Sequence, residues 1–572
     1  MTRKAKTYLF VVGGAILLII GVPIWFIYGP PRRLIVSKET TVLTEPLTAD
    51  GQVDYREAYL QRQRDGVTPE NNAAVPLAQA TWQGVPYESP NKELTEYLFR
   101  ELGIPEMKFD GMDVEFRTSR FRQLFLSWAS DKWGVDLTDE SIYDFDPGEY
   151  LEDVRYRPWR RADYPPLATW IDENEQRLHL LHDMEHRDKF YFPPPRFALP
   201  DRMLLGSTND GRQQLDHAAR ALKMRAMMHI GEGNSRLAWR DLRLIYLMSR
   251  IHSKDSSVDD VSNAYAIERV AYDGMKYLLD SGNYDRPLLE EIARFLADLP
   301  PRLDVGAALD TVERWMILEC GQNAQTMTDI TIEGASDGYP ELLNLPYDKN
   351  AMLRRINQRF DRWGTILKID EPAKYAHDAY QQSDQDDQET IAWDGRGAIA
   401  AATISQSVRG VYAADVVCVL ALYNIAWAKQ DLFQATMEQQ MLQVAIRLAI
   451  FHLEHGEYPE TLSALADQPD TADLRDIYAP GDELHYERND EGGYLLYSVF
   501  EDGVDDHGNV PLEESVEGDS RTIMGNFCGC IDPDYDRDLA IRFPIPAPTP
   551  LKKPLSKAED LSDDPFFSNP FN

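Results

Sequence analysis

Clustered carboxylates near the carboxyl-terminal end of the chain are the residues whose types and spacing best fit a chemical role. One acidic run covers residues 501–509 and a second covers residues 532–538. Calcium takes six to eight oxygen ligands at ~2.3–2.6 Å, and carboxylates and loop carbonyls supply such oxygens. The sequence therefore predicts calcium as the one candidate cofactor. The candidate ligands are Asp502, Asp505, Asp506, Asp536 and Asp538.

The alternative interpretation is that these acidic loops are solvated and hold no ion. Residues 456–572 contain 27 acidic and 8 basic residues, so carboxylates fall near one another by chance. The second run also departs from an EF-hand loop, because Arg537 occupies the position that requires glycine. Both interpretations stay open at the level of the sequence.

Histidine and cysteine provide weaker candidates for metal binding. His179, His182 and His186 have i, i+3 and i+7 spacing along a predicted helix. Zinc needs imidazoles that converge on one point, and a seven-residue separation extends beyond a single ion. We therefore favour a solvated or partly packed helix face. Cys528 and Cys530 are too close for an easy disulfide bond.

Local signatures of catalysis are absent from the sequence. It contains no Gly-x-Ser-x-Gly, no Walker loop, no Gly-x-Gly-x-x-Gly and no His-Glu-x-x-His. A pair of its 95 acidic residues could form a glycosidase-like dyad, but the sequence does not select such a pair. We therefore assign no catalytic residue.

The overall charge excludes one class of partner. The chain has 572 residues, with 59 basic and 95 acidic side chains and a formal net charge of −36. Nucleic-acid binding needs a basic surface, and the sequence has no block rich in lysine and arginine. We expect no nucleic acid among its partners.

An amino-terminal apolar run predicts a membrane anchor. Residues 8–28 carry no charge, and at ~1.5 Å per residue they reach about 30 Å, enough to cross a bilayer. We expect a single span in the cytoplasmic membrane, with the amino terminus inside and most of the chain extracytoplasmic. A cleaved signal peptide is the alternative, but the run is longer than its usual apolar stretch. A second apolar stretch, Val411 to Ala428, contains Asp415 and predicts a buried core helix instead.

Helical periodicity dominates the exposed part of the chain. We predict a mainly α fold with a transmembrane helix, a large body of packed helix pairs and a small α+β module with a short antiparallel sheet. A polar stretch at Gln381–Glu389 is expected to be mobile. A turn at residues 489–493 predicts a hairpin. The predicted divisions are 1–30 (anchor), 31–160 (mixed segment), 161–430 (helical body), 431–548 (helix and small sheet) and 549–572 (proline-rich disordered tail).

Two resemblances extend this interpretation. The segments AIRLAIFHLEHGEYPETLSAL (445–465) and ELHYERNDEGGYLLYSVFEDGVDDHGN (483–509) resemble the distal half of a major pseudopilin of type II secretion. The likeness covers about 431–544 and implies a long helix packed on a small sheet, with a calcium-binding acidic loop. It implies Asp502 and one of Asp536 or Asp538 as ligands. The pseudopilin processing site is absent, and some 400 residues separate the module from the apolar run.

Almost the whole chain is also similar to uncharacterised membrane-anchored proteins of planctomycete bacteria. The segments that carry this likeness include VDYREAYLQRQRDGVTPENNAAVPL (53–77) and GEGNSRLAWRDLRLIYLMSR (231–250). The resemblance implies architecture and an envelope location, and no activity. We therefore expect a membrane-anchored cell-envelope scaffold or binding protein with envelope proteins as partners. The alternatives are an envelope hydrolase acting on glycan or peptide, and a secretion-associated component.

Overall fold

A computed structural model describes most of the chain. The described residues are 25, 29–30, 32–83, 91–105, 112, 119–134, 151, 155–200, 202–208, 210–252, 255–323, 346–391, 405–422, 425–465, 473–490, 492–501, 503–508 and 538–545.

The described residues are mainly helical, as the sequence predicts. The helices are α1 (Tyr55–Arg64), α2 (Ala74–Thr81), α3 (Asn91–Glu101), α4 (Ser119–Trp133), α5 (Pro165–Leu181), α6 (Asp210–Gly231), α7 (Ser235–Met248), α8 (Val258–Asp280), α9 (Arg286–Ala297), α10 (Val305–Ala308), α11 (Arg314–Asn323), α12 (Lys349–Ile366), α13 (Pro372–Ile391), α14 (Gln406–Leu422) and α15 (Ile425–His455). Short 3₁₀ turns cover His182–His186, Pro195–Ala198 and Leu462–Leu465, and a π turn at Leu309–Glu313 joins α10 to α11.

Helices α6, α7 and α8 pack against one another and form the centre of the body. Gly274 lies where α8 meets α7, and a β-carbon there would collide with the side chain of Leu242. Helix α8 begins with a capping box, in which Ser257 and Asp260 bond reciprocally to backbone amides. Close approach and a capped start together fix the position of α8.

A second group of helices contains the apolar stretch that the sequence assigns to the core. Helix α14 packs against α12, and Asp415 of α14 is 1% exposed. Its carboxylate accepts hydrogen bonds from Arg355 (2.8 Å) and Arg359 (2.9 Å) of α12. These cations neutralise Asp415, which explains why an acidic residue is tolerated in an apolar helix.

The segment of residues 29–43, called the stem below, lies along α12. Gln406 donates to the carbonyl of Gly29 (2.6 Å). Asn350 accepts from the amide of Ile35 (2.8 Å) and donates to the carbonyl of Arg33 (3.0 Å). Two turns further along α12, Asn357 donates to the carbonyls of residues 39 and 40, both at 3.0 Å. The described part of the stem is therefore bonded to the body at residues 29, 33, 35, 39 and 40.

Helix α15 connects the body to a small sheet. It packs against α8 and α9 and also against strands of the sheet. The strands are β1 (His485–Arg488), β2 (Tyr494–Ser498) and β3 (Leu539–Phe543), antiparallel in the order β1-β2-β3. The hairpin predicted around residues 489–493 is present. The predicted division between residues 430 and 431 falls inside α15, and one hydrophobic core is continuous from the body to the sheet.

Two local expectations are wrong. The stretch Gln381–Glu389, expected to be mobile, belongs to α13, where Asp386 accepts from the indole of Trp363 (2.9 Å). Its polar residues are partners for the cations of α12, so low apolar content does not indicate mobility here. The three histidines are not on one helix, because α5 ends at Leu181 and His182 begins a 3₁₀ turn.

The described residues contain no helix that is long and apolar enough to span a membrane. Of the predicted span, residues 8–28, only Trp25 is described, and its carbonyl accepts from the amide of Gly29 (2.8 Å). The predicted anchor and the proline-rich tail thus lie almost entirely outside the described residues and stay predictions.

Candidate functional site

The acidic loop after β2 and the start of β3 contact each other. The side chain of Asp538 accepts from the amides of Asp506 (3.2 Å) and Gly508 (2.8 Å). In the same loop Asp505 accepts from the hydroxyl of Tyr497 (3.0 Å) and from the amide of His507 (2.9 Å). Antiparallel pairing of β2 with β3 positions these carboxylates, because Ser498 and Leu539 are paired neighbours at that edge.

Burial and like charge distinguish the carboxylates of this loop. Asp538 is 4% exposed, and its Oδ1 atom is buried without a hydrogen-bond partner among the described residues. Burial, together with the charges of Asp506 and Asp505, raises the pKa of Asp538. By contrast, the amide of His507 lowers the pKa of the exposed Asp505. A cation near Asp538 would relieve this repulsion.

The structure brings together Asp505, Asp506 and Asp538 of the five predicted calcium ligands. Asp502 and Asp536 lie outside the described residues. Within the described part, no group of three or more histidine, cysteine, aspartate or glutamate side chains has the geometry to hold a metal ion. The calcium site stays a prediction. The sequence did not indicate that Asp538 would organise the loop through backbone amides.

His182 belongs to a buried network of charges. Its Nε2 atom lies 3.1 Å from Asp241, and its Nδ1 atom lies 2.9 Å from Glu185. Arg225, 1% exposed, donates to both oxygens of Asp241 at 2.8 and 2.7 Å. Burial opposes the charge of His182, but hydrogen bonds to Asp241 and Glu185 raise its pKa. The imidazole therefore joins the 3₁₀ turn after α5 to α7 through contacts with two carboxylates.

A partly open cavity of about 40 Å³ lies between α6, α8 and the aromatic residues near α1. Tyr59, Phe190 and Phe192 form one wall, while Arg212 and Asp260 are among its polar residues. A volume of this size accommodates a few water molecules at about 10–15 Å³ each. It is smaller than the 300–1,000 Å³ or so typical of small-molecule sites.

Two carboxylates with raised pKa values lie at the start of α8, and one of them, Asp260, lines this cavity. Burial, followed by the charge of Asp259, raises the pKa of Glu313 to about 7. Burial also raises the pKa of Asp260. Both groups bond to the start of α8: Glu313 accepts from the amide of Val258 (3.2 Å), and Asp260 accepts from Ser257. These carboxylates therefore complete the backbone hydrogen bonding of a helix terminus.

A further buried acid and two thiols lie in the core. Glu319 accepts from the amide of Leu204 (2.7 Å), and burial raises its pKa to about 7. Cys320 and Cys418 are free and buried, and burial raises the pKa of both thiols to about 12. Such thiols are unreactive packing residues. Cys528 and Cys530 lie outside the described residues.

Comparison of the chain with protein-family models, curated proteins and solved structures finds no match. The resemblances to pseudopilins and to planctomycete envelope proteins therefore stay predictions from the sequence.

Proposed function

We propose that the protein is a membrane-anchored cell-envelope scaffold or binding protein. Residues 8–28 serve as the anchor, with the amino terminus inside and most of the chain outside the cytoplasmic membrane. The observation that carries this proposal is the stem, since the residues directly after the apolar run bond to α12 and α14 without an intervening linker. A body fixed in this way holds a constant height and orientation above a bilayer.

Continuity between the body and the sheet supports the same proposal. Helix α15 shares one core with α8 and α9 on one side and with β2 and β3 on the other. An ion pair cluster reinforces this connection, since Arg302 donates to Glu268 of α8 (2.7 Å) and to the carbonyl of Ala435 in α15 (2.9 Å). Anchor, body and sheet thus act as one rigid support for a partner.

The hydrolase alternative rests on carboxylates with raised pKa values that converge on a cleft. The partly buried Asp260 and Glu313 bond to the amino-terminal end of α8, and the cavity that Asp260 lines has a volume of about 40 Å³. Burial at the start of α8 is enough to explain the raised pKa values of both carboxylates, without a catalytic role. Scaffolding or binding is therefore the better-supported function.

Extraction of membranes tests the anchor. We expect the full-length chain to remain in the membrane pellet at alkaline pH. A variant with Leu17→Lys and Leu18→Lys should be released, because each mid-bilayer lysine costs ~2.5–3.5 kcal/mol on insertion scales. The matched control places the same lysines at exposed Leu205 and Leu237. Release of the unaltered chain would contradict the proposal.

Crosslinking in intact cells tests the scaffold. We expect the full-length chain to give discrete, reproducible crosslinked species with other envelope proteins. Loosening the stem with Asn350→Ala and Asn357→Ala should weaken these species while membrane association persists, since the body loses its fixed orientation. Absence of discrete species, or turnover of envelope glycan or peptide by the purified chain, would count against the scaffold.

A further inference from the structure

Basic side chains lie at the end of the body that follows the apolar run. Arg32 and Arg33 come four and five residues after Tyr28, so at most about 18 Å of chain separates Arg33 from the end of that run. Their backbone cannot move away, because Asn350 donates to the carbonyl of Arg33 (3.0 Å). The guanidinium of Arg32 contacts Asp348 (3.3 Å) but is still 61% exposed.

Two more cations continue this surface along the stem. Lys38 is exposed, and Arg354 of α12 is 45% exposed and contacts Glu39 at 3.9 Å. We call Arg32, Arg33, Lys38 and Arg354 the collar. Among the described residues, ion pairs join the collar to two carboxylates, those of the buried Asp348 and the exposed Glu39.

An exposed apolar side chain lies among these cations. Leu34 and Val36 pack against the core, while Ile35 between them is 55% exposed. This alternation follows from the extended backbone, in which successive side chains point to opposite sides. An outward isoleucine flanked by arginine and lysine fits the boundary between headgroups and acyl chains.

We propose that the collar binds the phosphate groups of anionic phospholipids in the leaflet where the apolar run ends. This inference rests on the proposed membrane anchor and adds the lipid class that the body contacts. A chain with a net charge of −36 is repelled by an anionic surface. Juxtamembrane arginine and lysine reverse that repulsion locally, within a Debye length of about 8 Å.

Spin-labelled lipids test the collar in the full-length chain reconstituted into bilayers. We expect labelled phosphatidylglycerol to associate about fivefold more strongly than labelled phosphatidylcholine. This ratio corresponds to a single contact between a collar cation and a lipid phosphate. The Arg32→Gln, Arg33→Gln and Lys38→Gln triple variant, which keeps only Arg354 of the collar, should show a clearly lower ratio than the unaltered chain. The matched control, Lys92→Gln with Arg122→Gln, alters exposed residues of α3 and α4 and should keep the wild-type ratio.

Salt provides a second measurement that needs no variant. At 1 M salt the Debye length falls to about 3 Å, so the selectivity of the unaltered chain should decline toward one. A bilayer-incorporated chain with equal association of both lipids, or with unchanged selectivity in the triple variant, overturns the collar and leaves the anchor intact. A chain that does not incorporate into the bilayer overturns the anchor and the collar together.

Discussion

Replacing Asp241 with asparagine isolates the energetic role of the buried network around His182. Asp241 is fully buried and accepts from both Arg225 and His182. The amide keeps the shape of the side chain but leaves the guanidinium of Arg225 with one remaining carboxylate, the half-exposed Glu175 at 3.2 Å. Removing one partner of a buried pair costs about 3–5 kcal/mol, so we expect a loss of that size in the free energy of unfolding.

A matched exposed pair provides the control. Asp285 contacts Arg236 at 2.9 Å with both side chains more than half exposed. Because asparagine also caps helices well, Asp285→Asn preserves the start of α9. We expect this variant to lose at most about 1 kcal/mol. The assay is urea unfolding of the full-length chain in detergent at pH 7, followed by circular dichroism.

Two further measurements determine whether charge is the cause. Combining Asp241→Leu with Arg225→Met removes both charges and should recover most of the stability lost in the single variant. Loss of the carboxylate should also lower the pKa of His182, measured by NMR, because hydrogen bonding to Asp241 raises it. The reasoning is refuted if Asp241→Asn costs no more than Asp285→Asn, or if the pKa of His182 is unchanged.

Three other predictions concern the burial of Glu313, the close packing at Gly410 and the acidic loop. Burial raises the pKa of Glu313 to about 7, so the unfolded chain loses this proton at lower pH than the folded chain, and the free energy of unfolding falls between pH 5 and 8. The Glu313→Gln variant should remove that fall and gain up to about 3 kcal/mol of stability at pH 8. The control variant Glu290→Gln, at an exposed position, should show neither effect. A β-carbon at Gly410 would collide with backbone of α12, so Gly410→Ala should destabilise by about 1–3 kcal/mol in urea unfolding; Gly364→Ala, with its nearest neighbour atom 3.9 Å away, should be neutral or stabilising. Millimolar calcium should raise the melting temperature, and Asp538→Asn should abolish the rise; no shift in the unaltered chain would contradict the calcium site.

The helical body could be predicted because its periodicity is local. Apolar spacing and breaks such as the Gly231–Asn234 turn suffice to place α6, α7 and α8 within a few residues. The hairpin at β1 and β2 likewise follows from a turn sequence between two short strands. Each of these features depends on residues that are close together in the chain.

The misjudged features depend on distant partners. The polar residues of α13 become helical because Arg355, Arg359 and Arg362 of α12 neutralise Asp386 and Glu389. The contact of His182 with Asp241, which is 59 residues away, was also not predicted, although His182 is partly packed as the sequence favours. A single sequence does not identify such partners, since charges of both signs occur throughout it. For the same reason the hydrogen bonds of Asp538 to the acidic loop escaped prediction.

The stem also has a consequence for the order of events during synthesis. Its bonds to Asn350 and Asn357 join residues 315 to 318 positions apart. At about 5–20 residues per second, the ribosome needs roughly 16–64 s to make the intervening chain. The nascent stem must therefore wait for its partners. Completion of the body is consequently a late step, timed by the arrival of α12 and α14.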